Sequence, residues 1–155
     1  METIEKIDEL IKTAVLCNLR GVDFLQSLPI ETVREAYNGI GPEFLPPSVR
    51  EAVTTHFAVF APAAVIHDLR NEFSDGTHEK FHAANDEFLR NCLALIDHKY
   101  PWWRFLRRDA ARQAAYAFYK FVESQFGWRA WLEAQAAHAK KMASGNSAGE
   151  RKEQT

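Results

Sequence analysis

Inside the run PAAVIHDLRNEF, residues 62–73, a histidine and an aspartate sit side by side among apolar residues at helical spacing. His67 can act as a general base if a carboxylate holds one ring nitrogen and leaves the other free. A second helix-patterned stretch, HAANDEF at 82–88, offers that carboxylate in Asp86. An SDGT turn separates the two, His67 lying about 8 residues before it and Asp86 about 10 after, so at about 1.5 Å rise per residue the pair would stand at similar heights. Asp68, rotated about 100° from His67, serves a different purpose.

A third stretch supplies oxygens. YNGIGP, residues 37–42, places Gly39 and Gly41 where a backbone can turn sharply and direct carbonyls to one point. Hard cations such as Ca²⁺ take about six to eight oxygens at about 2.3–2.6 Å, and backbone carbonyls qualify. The carbonyls around Tyr37, Gly39 and Gly41 with the Asp68 carboxylate make one candidate set. His78, His82 and Asp86, at i, i+4 and i+8 of a helix, make another, suited to Zn²⁺. The zinc set competes with the His67 dyad for Asp86. At 98–112, HKYPWWRFLRRDAAR interleaves Trp102 and Trp103 with Arg104, Arg107 and Arg108, a mixture suited to an anionic membrane surface.

The elements that must position these groups are helical, and no convincing period-two run occurs. Ile4, Ile7, Ile11, Ala14 and Val15 mark one face of a first helix, and a short helical segment from Ile30 follows a turn at Gly21. Two glycines and three prolines make 38–47 a loop, after which Ser48 and Glu51 read as a capping box. Pro62 opens a helix to about Phe73, and Thr77 caps a long one to about His98. A further helix is expected from Tyr100-Pro101 to near Gly127, then a last one through WRAWLEAQAAHAKKM. From Ser144 the composition predicts a disordered tail, 144–155, behind a single all-α domain, 1–143.

Composition narrows the partners. A net charge of −2 over 155 residues gives no basic excess, so nucleic acid is not expected. Cys17 and Cys92 form no CxxC pair and read as small apolar core residues of a reducing compartment. The acidic amphipathic start lacks a secretory signal, and no run nears the roughly 20 apolar residues of a membrane span, so a cytoplasmic location is expected.

A Tyr-x-Gly-x-Gly loop, a His-Asp helix and a second helix bearing an aspartate resemble the pattern of calcium-dependent phospholipases A2. The chain is most similar to their compact, disulfide-free versions, such as the parvovirus capsid domain and phage-borne relatives. The resemblance covers roughly residues 37–96. It implies a lipid-degrading hydrolase, virus- or phage-associated, acting at a phospholipid surface on the sn-2 ester of glycerophospholipids. By the same resemblance Tyr37, Gly39, Gly41 and Asp68 would hold calcium. His67 would take a proton from water, Asp86 would orient its ring, and the Gly39 N–H would help stabilise the oxyanion. The sequence departs from the family at two positions. Asn71 stands where a tyrosine usually bonds the dyad aspartate, and Pro42 follows the loop in place of glycine. The alternative function is a helical binding or structural protein that keeps the fold without catalysis.

Overall fold

A computed structural model describes residues 2–37 and 58–150, and every regular element among them is helical. In chain order these are α1 (Ile4–Leu16), α2 (Val22–Gln26), α3 (Ile30–Ala36), α4 (Ala61–Glu72), α5 (His78–Lys99), a 3₁₀ turn (Trp102–Arg104), α6 (Phe105–Val122) and α7 (Gln125–Glu150). The capping box at Ser48, the loop glycines Gly39 and Gly41, and Pro42 lie outside the described residues.

Side-chain caps open two of the helices. The Thr3 hydroxyl accepts from the Lys6 N–H at the start of α1. At α5 the Thr77 hydroxyl accepts from Lys80 N–H, while the Asp75 carboxylate accepts from both the Thr77 amide and hydroxyl. Each satisfies backbone donors that the first turn of a helix leaves without intrahelical partners. The buried face of α1 is Ile7, Leu10 and Ala14; Ile4 and Val15 stand exposed.

The centre of the molecule is α4. Ala61 to Ile66 are buried without interruption, and Leu69 follows one turn on. A helix apolar around its circumference has to be surrounded, and α4 packs against α1, α2, α3, α5 and α7. Small alanines at 61, 63 and 64 let those neighbours approach closely.

Around α4 the longer α5 follows a stricter pattern. Its buried residues are Phe81, Ala84, Asn85, Phe88, Asn91, Cys92, Leu95 and Ile96, a stripe at helical period. Two asparagines therefore face the core. Asn91 uses its side chain as a peptide bond would, its Oδ1 accepting from Arg20 N–H at 2.8 Å and its Nδ2 donating to the Arg20 carbonyl at 3.0 Å. That clamp fastens the α1–α2 turn, where Gly21 adopts φ 82° and a side chain would meet Ile66.

The C-terminal helices divide differently from the sequence expectation. Pro101 starts a 3₁₀ turn, α6 begins only at Phe105, and it ends at Val122 well before Gly127. Gly127 lies inside α7, and a β-carbon there would overlap the Val122 carbonyl. The chain thus makes a tight corner at Glu123–Ser124 that a glycine permits, where the sequence reading took the glycine for a helix end. Trp131 is buried against Phe81, whereas Tyr116 and Phe126 are exposed. α7 continues to Glu150, across the first residues of the segment whose composition predicts a tail.

Candidate functional site

His67 sits in the second turn of α4, facing α5, with Phe88 against its ring at 5.0 Å between centroids. Its Nε2 lies 2.7 Å from Asn85 Oδ1. The partner is therefore Asn85, one residue before Asp86, which the sequence reading had chosen. A one-residue step on a helix is a rotation of about 100°, enough to send the side chain to another neighbour. Asp86 faces α6 and accepts from the Tyr119 hydroxyl at 2.7 Å, which raises the pKa of that hydroxyl to about 12. The structure does not bring His67 and Asp86 together as a dyad.

The bonds of Asn85 determine the tautomer of His67. The Asn85 Nδ2 lies 2.7 Å from Glu123 Oε1 and 3.4 Å from the Val122 carbonyl, both acceptors. Its amide orientation follows from them, leaving only Oδ1 toward the imidazole. A carbonyl oxygen accepts and cannot donate, so the proton of the neutral ring is on Nε2. The lone pair is on Nδ1. Asn71 Nδ2 lies 3.5 Å from Nδ1, a long and weak bond, and Asp68 Oδ1 is 4.0 Å away. Burial lowers the His67 pKa below the ordinary imidazole value, outweighing the opposing pull of the Asn85 bond and the Glu87 carboxylate. The ring is neutral at pH 7, as a general base requires.

Glu123 extends the arrangement outward. Its second oxygen lies 2.8 Å from Nδ1 of the exposed His82. A chain of polar contacts thus runs from His82 through Glu123 and Asn85 to His67. Asn85 is fully buried and Glu123 mostly so. Such a network, satisfied at each step, orients its members more tightly than isolated bonds do.

On the other side, Asp68 and Tyr37 are electrostatic neighbours. Burial first, then the charges of Asp68 and Glu2, push the Tyr37 hydroxyl well above its ordinary value. The described residues thus place the Asp68 carboxylate, and that of Glu2, within electrostatic reach of Tyr37 at the start of the glycine loop. Among them no three His, Cys, Asp or Glu side chains converge as a metal site. Oxygen donors of this kind fit a hard cation, whose other ligands would be carbonyls of residues 37, 39 and 41, the last two outside the described residues.

Asn71, expected to support the dyad, is placed beside His67 Nδ1 instead of next to its partner. The Asn71 Oδ1 is buried and has no hydrogen-bond partner among the described residues, while its backbone carbonyl accepts from Gln135 of α7. The zinc candidates are engaged separately. His78 stacks on Trp128 at 3.7 Å, His82 meets Glu123, and Asp86 meets Tyr119.

Sequence reasoning missed Asn85 and Glu123. The first was detectable: Phe81, Ala84, Phe88, Cys92 and Leu95 define a stripe that includes position 85 and excludes 86. The second carries no local signal, because it reaches Asn85 from a helix end 38 residues away. Comparison with protein-family models, with curated proteins and with solved structures finds no match to this chain.

Proposed function

We propose that the protein is a calcium-dependent esterase of the phospholipase A2 type, hydrolysing the sn-2 ester of glycerophospholipids with His67 as general base. One observation carries this reading: a neutral imidazole held at Nε2, its Nδ1 lone pair 4.0 Å from the Asp68 carboxylate. A water placed between those groups could give its proton to Nδ1 while its oxygen attacks the ester carbonyl carbon. The Nδ1 proton then passes to the departing alkoxide, leaving a fatty acid and a lysophospholipid. Asp68, with carbonyls of Tyr37, Gly39 and Gly41, would hold the cation. When bound, it supplies charge to stabilise the oxyanion. Asn85 keeps the proton on Nε2 throughout, and Glu123 keeps Asn85 turned.

A second reading rests on Asn85 itself. An amide carries no charge, so it stabilises the imidazolium formed on proton transfer far less than a carboxylate would. That favours a helical binding protein with the same architecture and little or no turnover.

Fatty-acid release from phospholipid, with Ca²⁺ and with chelator, separates the two readings. The hydrolase reading expects calcium-dependent release that His67→Ala abolishes. It also expects millimolar Ca²⁺ to raise the melting temperature, and Asp68→Ala to remove that rise. A calcium-dependent rise without release would support the non-catalytic protein. Neither release nor a calcium response would leave His67 a structural residue.

A further inference from the structure

We propose that the corner between α5 and α6 is a docking surface for anionic phospholipid membranes. Trp102, Trp103, Phe105 and Leu106 are 78, 63, 66 and 73% exposed, four large apolar side chains within five residues. Isolated exposed apolar residues are ordinary; a contiguous cluster marks an interaction surface. The two indoles meet edge to face, 6.1 Å between centroids. Indoles and arginines together suit the headgroup zone of a bilayer, where the ring is half solvated and the guanidinium meets phosphate.

The charges of the corner select the lipid. Helix N-termini are stabilised by acidic residues, because the first-turn N–H groups carry partial positive charge. The first turn of α6 has no acidic residue and carries Arg107 and Arg108 instead, directly after Arg104. Asp97 lies 2.5 Å from Arg108 and 3.2 Å from Arg112. Arg104, Arg107 and Lys99 are exposed beside the aromatic cluster, and Asp109 is the nearest other carboxylate in sequence. Positive charge at a positive helix end is unfavourable alone and is relieved by an anionic surface. The chain as a whole carries −2, so it has no general electrostatic pull on a nucleic-acid strand, and the positive charge is local to the aromatic corner.

This surface goes beyond the hydrolase reading and does not depend on it. From Asn85 to the end of α5 the helix rises about 21 Å, so the corner lies well away from His67. It acts as an anchor at a distance from that site, and the two can be tested apart.

The experiment is co-sedimentation of the full chain with vesicles of phosphatidylcholine alone and of phosphatidylcholine mixed with phosphatidylglycerol. EDTA is present throughout, so that calcium plays no part. Binding is expected to the anionic vesicles, to weaken with salt, and to remain unchanged in His67→Ala. Arg104→Gln with Arg107→Gln should weaken it roughly 25-fold, at about fivefold per basic residue near an anionic surface. Trp102→Ala with Trp103→Ala should weaken it at least as much. All four positions are exposed, and circular dichroism checks that the variants fold. No preference for anionic vesicles, or binding indifferent to these substitutions, would overturn the proposal. So would a lipid-free dimer abolished by the tryptophan changes, or tighter binding of the corner to a single-stranded oligonucleotide than to vesicles.

Discussion

At the scale of single residues, the chemistry of the site depends on an amide standing where a carboxylate might. Asn85 presents its oxygen to His67 and its nitrogen to Glu123, so the negative charge lies one side chain farther from the imidazole. Replacing Asn85 by aspartate would set two carboxylates against one another in a buried place. Asn85→Asp should therefore cost about 3 kcal/mol, and adding Glu123→Gln should recover more than half, because the new amide can donate to the new carboxylate. Urea unfolding of the two variants measures this; equal instability would mean that the two positions do not act as a pair. The burial of His67 also sets a pH dependence. Its folded pKa is below the unfolded value of about 6.5, so below that value the unfolded chain binds a proton that the native ring resists. Stability from this group is full above pH 6.5 and falls as pH drops from there toward the lowered native pKa, by at most about 1.4 kcal/mol per pH unit. His67→Gln keeps a donor for Asn85 without titrating. Unfolding midpoints at about pH 5 and about pH 7 should differ less for that variant than for the wild type.

At the scale of elements, local signals and packing divide the work. Thr3 and Thr77 are readable as caps because a hydroxyl before an amphipathic run has one common use there. The break between α6 and α7 is not readable, since a lone glycine marks a helix end, a kink or a close approach equally well. Its actual role gives a test in which two effects have opposite signs. Helix propensity alone expects Gly127→Ala to stabilise the protein by about 1 kcal/mol. The overlap with the Val122 carbonyl expects a net loss of about 3 kcal/mol, and a weakened hold of Glu123 on Asn85. A melting temperature that rises in this variant would reject the corner. α5 gives the converse lesson: its apolar stripe specifies which positions face inward, and Asn85 and Asn91 are recognisable as inward polar residues by that rule alone.

At the scale of the whole molecule, α4 is enclosed by helices from both halves of the chain, so its exposure and that of its neighbours should be lost and gained together. Cys92 reports this. It is fully buried on the inward stripe of α5, and burial raises its thiol far above the ordinary range, whereas Cys17 is only partly covered. A thiol reagent should label Cys17 in the native protein and reach Cys92 only at the rate of global unfolding. Rapid native labelling at both would mean that α5 detaches from the core locally. Among the described residues no helix is long and apolar enough to cross a membrane.

The sequence by itself determined that the chain is helical, where α1 and α5 begin, and that His67 stands on a helix opened near Pro62. Those properties follow from local periodicity, capping chemistry and the density of apolar residues, which are written within a few turns of chain. Only the tertiary structure decided which polar group meets His67, that Glu123 stands behind it, that Asp86 belongs to Tyr119, and that Trp102 and Trp103 remain exposed while Trp131 is covered. These depend on the rotation of α5 between α4 and α6 and on a corner near Gly127. A rotation of about 100° exchanges one residue for the next, and it is the sum of packing over many side chains, not the spacing within one segment, that determines it.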